Sequence, residues 1–404
     1  MTIGGNVTEA AGGSGAGAPL WLQGGYRLLF ACGALWAALV VILWVGAFGG
    51  RWTLPTAMAP LAWHQHEMLF GYLGAIIGGF VSAAIPNWTG RPTVTGWRIA
   101  AVVGLWLAAR LAILFSATVP PLIGAALDSL YLLILLAYAA REIFVSGNRN
   151  KPILIILFLF AAASALDHAA MMGALADPML GMHMGFALVL LLIALIGGRI
   201  IPAFTRNWLV RQGAAEGVPT MPNRFDMIAM GTTALALAAW VAGPASPVAA
   251  GLLIVAGGLQ AVRLTRWAGL KALRDPIVFV LHLSYAWLPV GLILLGSAML
   301  YPLLPVSSAV HALGAGAMGT MTLAVMTRAT RGHTGRPLVA DRATVLIYVL
   351  IHSGTLLRVI APLLPFEYLR VIVLAGALWA AAFLLFLIAY VPMAVRPASG
   401  AHLA

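Results

Sequence analysis

The chain has 404 residues, of which 62% are apolar and 8% charged. A soluble domain carries roughly 25% charged residues, so this composition excludes a water-soluble globular fold. The net charge of +12 does not indicate nucleic acid, because the basic residues sit in short loops between apolar runs. The single cysteine, Cys32, excludes an internal disulfide and a multi-cysteine metal site.

Residues 1–25 are rich in Gly, Ala and Ser and contain no Lys or Arg, so they read as a disordered cytoplasmic tail and not as a cleavable signal. Continuous apolar runs follow, close to the ~20 residues that cross a bilayer. Pro, Gly and charge clusters divide them into twelve expected spans: 27–48, 63–86, 97–116, 120–140, 152–173, 178–201, 224–243, 246–265, 275–301, 307–328, 342–364 and 367–393. The runs lack the alternation of barrel strands, so the fold class is all-α integral membrane. Residues 26–394 are expected to be a single twelve-helix transmembrane domain, and 395–404 a cytoplasmic tail.

Nineteen of the 23 basic residues fall on alternate loops. The positive-inside rule then places both termini in the cytoplasm of a multi-pass inner-membrane protein. His66, His183 and His311 each lie early in the second, sixth and tenth spans. The spans end near Thr89-Gly90-Arg91-Pro92, Thr205-Arg206-Asn207-Trp208 and Thr334-Gly335-Arg336-Pro337. Matching offsets suggest three four-helix repeats.

Ionisable groups inside a membrane are costly and default to function. In chain order, His64 and His66 open the second span. They lie about 200° apart on a regular helix, so one metal cannot take both. Glu67 adjoins His66. Gly71, Gly74 and Gly78 follow it as a smooth stripe, open either to a neighbouring helix or to a flat macrocycle. Arg110 lies in the outer part of the third span without acidic neighbours in sequence, a position suited to haem propionates. Asp128 lies roughly 14 Å deep, where it can relay protons or accept a hydrogen bond from a histidine or Tyr131. His168, beside Asp167, and His183 sit level across one hairpin, roughly 11 Å in. His311 follows at similar depth, with Gly314, Gly316 and Gly319 after it. His352 is roughly 20 Å deep. Arg358 repeats the placement of Arg110. His282 reads as structural, while His333 and His402 fall in a loop and the tail. Met68, Met182 and Met184 are within reach of assisting copper.

Imidazole ligates haem iron, copper and zinc, and it must be neutral to bind. The expected haem-side residues are His66 and His311, then His64, His352, Arg110 and Arg358. The expected metal-side residues are His168 and His183, with His66 and His311 also in reach.

Two blocks carry a family resemblance: Trp63-His64-Gln65-His66-Glu67-Met68-Leu69-Phe70-Gly71-Tyr72, and Ala84-Ile85-Pro86-Asn87-Trp88-Thr89-Gly90-Arg91-Pro92. Gly197-Gly198-Arg199-Ile200-Ile201-Pro202-Ala203-Phe204-Thr205, His311-Ala312-Leu313 and Gly332-His333-Thr334-Gly335-Arg336-Pro337 extend it. The sequence resembles the NnrS family over nearly all of its length after residue 20. The resemblance implies a bacterial inner-membrane protein holding haem b and copper and acting in nitric oxide metabolism and nitrosative-stress tolerance, in denitrifiers and their relatives. The implied partners are the lipid bilayer, nitric oxide or a related small molecule, and an electron donor of unspecified identity. The architecture is similar to the haem-copper oxidase core subunit, but the His-His pair on the seventh span and the His-x-His on the tenth are missing. That departure argues against a binuclear oxygen-reducing centre. A nitric-oxide-related oxidoreductase is one expectation, and a polytopic secondary transporter without haem is the alternative.

Overall fold

The structure is a computed structural model and describes residues 18–220, 222–301, 305–365 and 367–397. Twelve helices are long and apolar enough to cross a membrane, and no strand occurs among the described residues. They are α1 Gly25–Phe48, α2 Pro60–Thr89, α3 Trp97–Leu114, α4 Pro121–Val145, α5 Lys151–Met171 and α6 Leu180–Arg211, then α7 Arg224–Ala242, α8 Pro247–Thr265, α9 Pro276–Leu300, α10 Val306–His333, α11 Arg342–Leu363 and α12 Tyr368–Val395.

Local chemistry sets the ends. Proline stands at the first turn of α2, α4, α5, α8 and α9, where its missing N–H leaves no intrahelical bond unmade. Ser246, Asp275 and Asp341 cap α8, α9 and α11 by accepting backbone N–H bonds. Asn223 and Asp226 form a reciprocal capping box at α7. Gly90 ends α2 in the left-handed conformation that suits glycine.

The expected spans coincide with the helices, with one large difference. Helix α6 runs on from the expected end near 201 to Arg211, through Pro202. The Thr205–Trp208 element is therefore helical and not a terminus. The Thr205 hydroxyl returns its hydrogen bond to the Ile201 carbonyl. Of the 1–25 tail, residues 1–17 lie outside the described residues. Leu20–Leu22 form a 3-10 turn tied to the start of α3 by Gly96 N–H donating to the Leu22 carbonyl. Residues 398–404, including His402, also lie outside the described residues.

Helices α2 and α10 are the most enclosed of the twelve, and both contact α6. Helices α1 and α12 lie side by side, where the Trp379 indole donates to the Ala37 carbonyl. Both α2 and α10 change winding in mid-course. Glu67–Tyr72 and Ala312–Thr320 are π-helical, and each segment begins directly after a histidine, His66 and His311. Such segments are rare and concentrate at functional sites.

Candidate functional sites: a histidine-lined cavity and an enclosed polar cluster

The sequence-derived site residues divide between two places. The first is a cavity of about 320 Å³ among the early turns of α2, α6 and α10 and the facing ends of α1, α7, α9, α11 and α12. That size falls within the range of small-molecule and cofactor sites. His64, His183, His311 and Arg358 line it. Trp44, Phe186, Trp240 and Trp379 supply aromatic walls, and Met68, Met179, Met182, Met299 and Met318 fill between them. No carboxylate lines the cavity among the described residues.

The polar atoms of this cavity want partners. His64 Nδ1, His183 Nδ1 and Arg358 Nη1 are buried and unbonded. The His64 ring lies against Trp44 with centroids 4.7 Å apart, and His183 against Trp240 at 4.6 Å. His311 differs: its Nδ1–H donates to the Ser307 carbonyl at 2.7 Å. That bond fixes the tautomer and leaves Nε2 with a free lone pair, the state in which imidazole binds a metal. The floor is closed by a hydrogen bond between the Tyr72 and Thr322 hydroxyls. Deeper along the same three helices lies a second, apolar cavity of about 90 Å³.

The second place is enclosed between α2, α3, α4 and α5. His66 faces it, on the opposite side of α2 from His64, as the angular separation on a helix requires. His66 Nδ1–H donates to Asp167 Oδ2 at 2.8 Å. Its Nε2 lies 3.6 Å from Asp128 Oδ2. His168 Nε2 lies 3.3 Å from the same oxygen, and the Ser164 hydroxyl donates to it at 2.7 Å. Arg110 pairs with Glu67 at 2.9 Å and with Asp128. The Trp36 indole donates to Glu67 at 2.5 Å. His66, Glu67, Arg110 and Asp128 are wholly buried.

Several sequence-based groupings are redrawn by this geometry. His66 meets His168, while His64, His183 and His311 line the cavity together, so the four histidines expected at one level divide between two sites. Arg110 has carboxylate partners 43 and 18 residues away in sequence, which remove its need for haem propionates. Arg358 keeps its unpartnered nitrogen. His352 lies outside both places and accepts from the Trp287 indole at 3.2 Å. His282 is bonded to the Thr205 hydroxyl at 2.7 Å, in keeping with a structural part. The glycine stripe after His66 faces protein: a Cβ at Gly71 would strike Glu67, and one at Gly78 would strike the Tyr131 hydroxyl. Gly316 and Gly319 likewise admit Trp287 and Trp379, and only Gly314 of that pair of stripes borders the cavity. Asp167 serves His66 across the helix interface and not its neighbour His168. The signal was the adjacency of Asp167 to a histidine, but its direction was not readable.

No curated protein sequence matches the chain. A family model described as NnrS protein matches residues 20–398. That stretch includes every histidine of the cavity and of the enclosed cluster, and by it the chain belongs to the NnrS family.

Proposed function

We propose that this protein is a haem b and copper inner-membrane protein that binds or converts nitric oxide. Membership of the NnrS family points to nitric oxide, and the histidine-lined cavity supports the haem. The observation that carries the reading is His311, with Nδ1–H committed to Ser307 and its other nitrogen free beside an apolar, aromatic-walled space. Arg358 is the cation available to a propionate there, since no acid lines the cavity among the described residues. His64 and His183 complete the set of imidazoles able to reach such a group. When bound, haem iron supplies a coordination position for nitric oxide. The apolar and aromatic walls favour an uncharged diatomic molecule by dispersion. With the basic loops inside, both termini lie in the cytoplasm and the cavity lies toward the outer face. Cysteine labelling checks this: Thr53 and Pro305 should label from outside, and Val218 from inside only.

The visible spectrum of the purified full-length protein tests the reading. A Soret band that shifts on adding nitric oxide is expected. His311→Ala should abolish or alter it, and Arg358→Leu should weaken haem retention while Arg110→Leu leaves any surviving haem spectrum unchanged. A protein that accumulates in membranes without a Soret band overturns the haem assignment.

A further inference from the structure

The enclosed cluster holds more negative charge than its protein cations neutralise. Glu67, Asp128 and Asp167 are carboxylates, and among the described residues Arg110 is the guanidinium that meets them. With neutral histidines the cluster carries two excess negative charges inside the bilayer, where uncompensated charge is costly. Protons on the acids or the imidazoles can compensate them, and so can a bound cation. The His66 and His168 rings have centroids only 4.6 Å apart. Two imidazolium ions at that separation in a buried site repel strongly.

The hydrogen bonding points the same way. His66 Nδ1–H is committed to Asp167, so the neutral ring turns its Nε2 lone pair toward the Asp128 carboxylate. That nitrogen is fully buried and has no hydrogen-bond partner. In that tautomer acceptor faces acceptor across 3.6 Å, while His168 Nε2–H donates to the same carboxylate oxygen at 3.3 Å. One ligand atom from each of His66, Asp128 and His168 lies within 4.8 Å of the others.

We propose that a divalent transition-metal ion, copper(II), is bound by His66 Nε2, His168 Nε2 and Asp128. One ion places both missing charges at a single point and satisfies the orphaned nitrogen. A donor set of two imidazoles and a carboxylate suits first-row metals, among which copper(II) binds most tightly. Asp167 is the positioning residue: it holds the His66 ring and its tautomer, in the carboxylate–histidine–metal arrangement. Gly71 is part of the construction, since a Cβ there would lie 2.4 Å from Glu67 Oε2 and 2.7 Å from Arg110 Nη1. The site deepens the proposed function by giving the copper of that reading its ligands, and it separates that copper from the haem cavity.

The test uses full-length protein expressed with added copper, solubilised in mild detergent and washed with chelator. One retained copper per chain is expected, with an electron paramagnetic resonance spectrum showing coupling to two nitrogens. His66→Ala and Asp128→Asn should each lower retained copper at least tenfold. Asp167→Asn should weaken affinity by about 10–100-fold, as loss of such partners does. His282→Ala should retain the full amount. Wild-type protein without bound metal would overturn the proposal, and so would copper kept in His66→Ala but lost in His183→Ala. If the cluster variants do not accumulate, nitrogen-15 histidine labelling of the wild type decides. A two-nitrogen pattern supports the site, and one nitrogen or a sulfur donor defeats it. The Soret band read on the same samples keeps the two ideas apart: copper retained without haem sinks the proposed function and leaves this site standing.

Discussion

Arg110 and Arg263 are the two most deeply buried guanidinium groups among the described residues, and their surroundings differ. Arg263, on α8, donates to Asp226 at 2.8 Å, to the Ala194 carbonyl at 2.9 Å and to the Tyr285 hydroxyl at 3.3 Å. The Tyr285 hydroxyl donates to Gln260 Oε1, and Gln260 Nε2 donates to the Thr233 hydroxyl. One acid meets two cations there, because Arg266 also approaches Asp226 at 3.6 Å. The network holds no histidine, and α6 makes room for it with Gly198, whose missing Cβ would lie 2.1 Å from Arg263. Arg110 lies instead among three acids and two histidines, with the His66, Glu67 and Arg110 side chains each holding an unbonded polar atom. Arg263 itself finds its partners within the protein and holds helices together, although Nη1 of the half-buried Arg266 beside it is unbonded. Around Arg110 three wholly buried side chains each lack a partner for one polar atom, which leaves that cluster open for something else.

The largest expected effect comes from breaking the Arg263 network. Asp226→Leu leaves Arg263, only 3% exposed, without its acid. Removing one partner of a buried pair costs about 3–5 kcal/mol. Thermal unfolding in detergent should show this loss, and the double variant Asp226→Leu with Arg263→Leu should recover much of it. A double variant no more stable than the single one would show that Arg263 stabilises through its packing on Trp267 and not through its charge.

The cluster around Arg110 is expected to respond to metal instead. Copper at 100 times its dissociation constant should stabilise the fold by about 2.7 kcal/mol, because only the folded chain presents the three ligands together. Chelation should remove that increment from the wild type. In His66→Ala the melting temperature should be the same with and without chelator. A chelator response of equal size in Asp226→Leu and wild type would confirm that the two networks are independent. A response that survives His66→Ala would place the metal elsewhere.

The contrast also explains what the sequence could and could not disclose. The twelve spans were readable because lipid demands continuous apolar runs, and Pro60, Pro121, Pro247 and Pro276 mark their starts. The end of α6 was not, since Pro202 and Arg206 look like a terminus until the helix is seen to continue. The histidines were readable as a set, because polar residues in such runs stand out. Their grouping was not, because α2 turns His64 and His66 to opposite sides and only packing decides what waits on each. Depth along a helix is nearly a one-dimensional quantity, and it placed His66, His168, His183 and His311 at similar heights. Azimuth decides which of them touch, and it depends on π-helical windings at Glu67–Tyr72 and Ala312–Thr320 that no composition signal announced. Arg110 looked unpartnered because both of its acids are distant in sequence.

A third guanidinium sharpens the comparison at its weak end. Arg331, near the end of α10, pairs with Asp341 at 2.5 Å and donates to the Tyr390 hydroxyl at 3.1 Å. The Asp341 side chain is half exposed, so water and salt screen this pair where they cannot reach Arg263. Asp341 also caps α11, accepting from the Thr344 backbone N–H and hydroxyl, both at 2.8 Å. Burial alone would raise its carboxyl, but the Thr344 bonds and the Arg331 charge outweigh burial and hold it below the ordinary carboxylate range. Asp341→Ala should therefore cost about 1 kcal/mol, mostly the cap. The sign of the pH dependence follows from the depressed value. The contribution is fully present above the unfolded carboxyl's pKa of about 3.9 and is lost as pH falls through the lower folded value. The melting-temperature gap between wild type and Asp341→Ala should hold constant from pH 8 to pH 5 and narrow below about pH 4. Raising salt should trim only the ion-pair share of that gap and leave the cap. A gap that widened on acidification would mean that the protonated carboxyl is the better cap, and it would remove Asp341 from the series of paired acids.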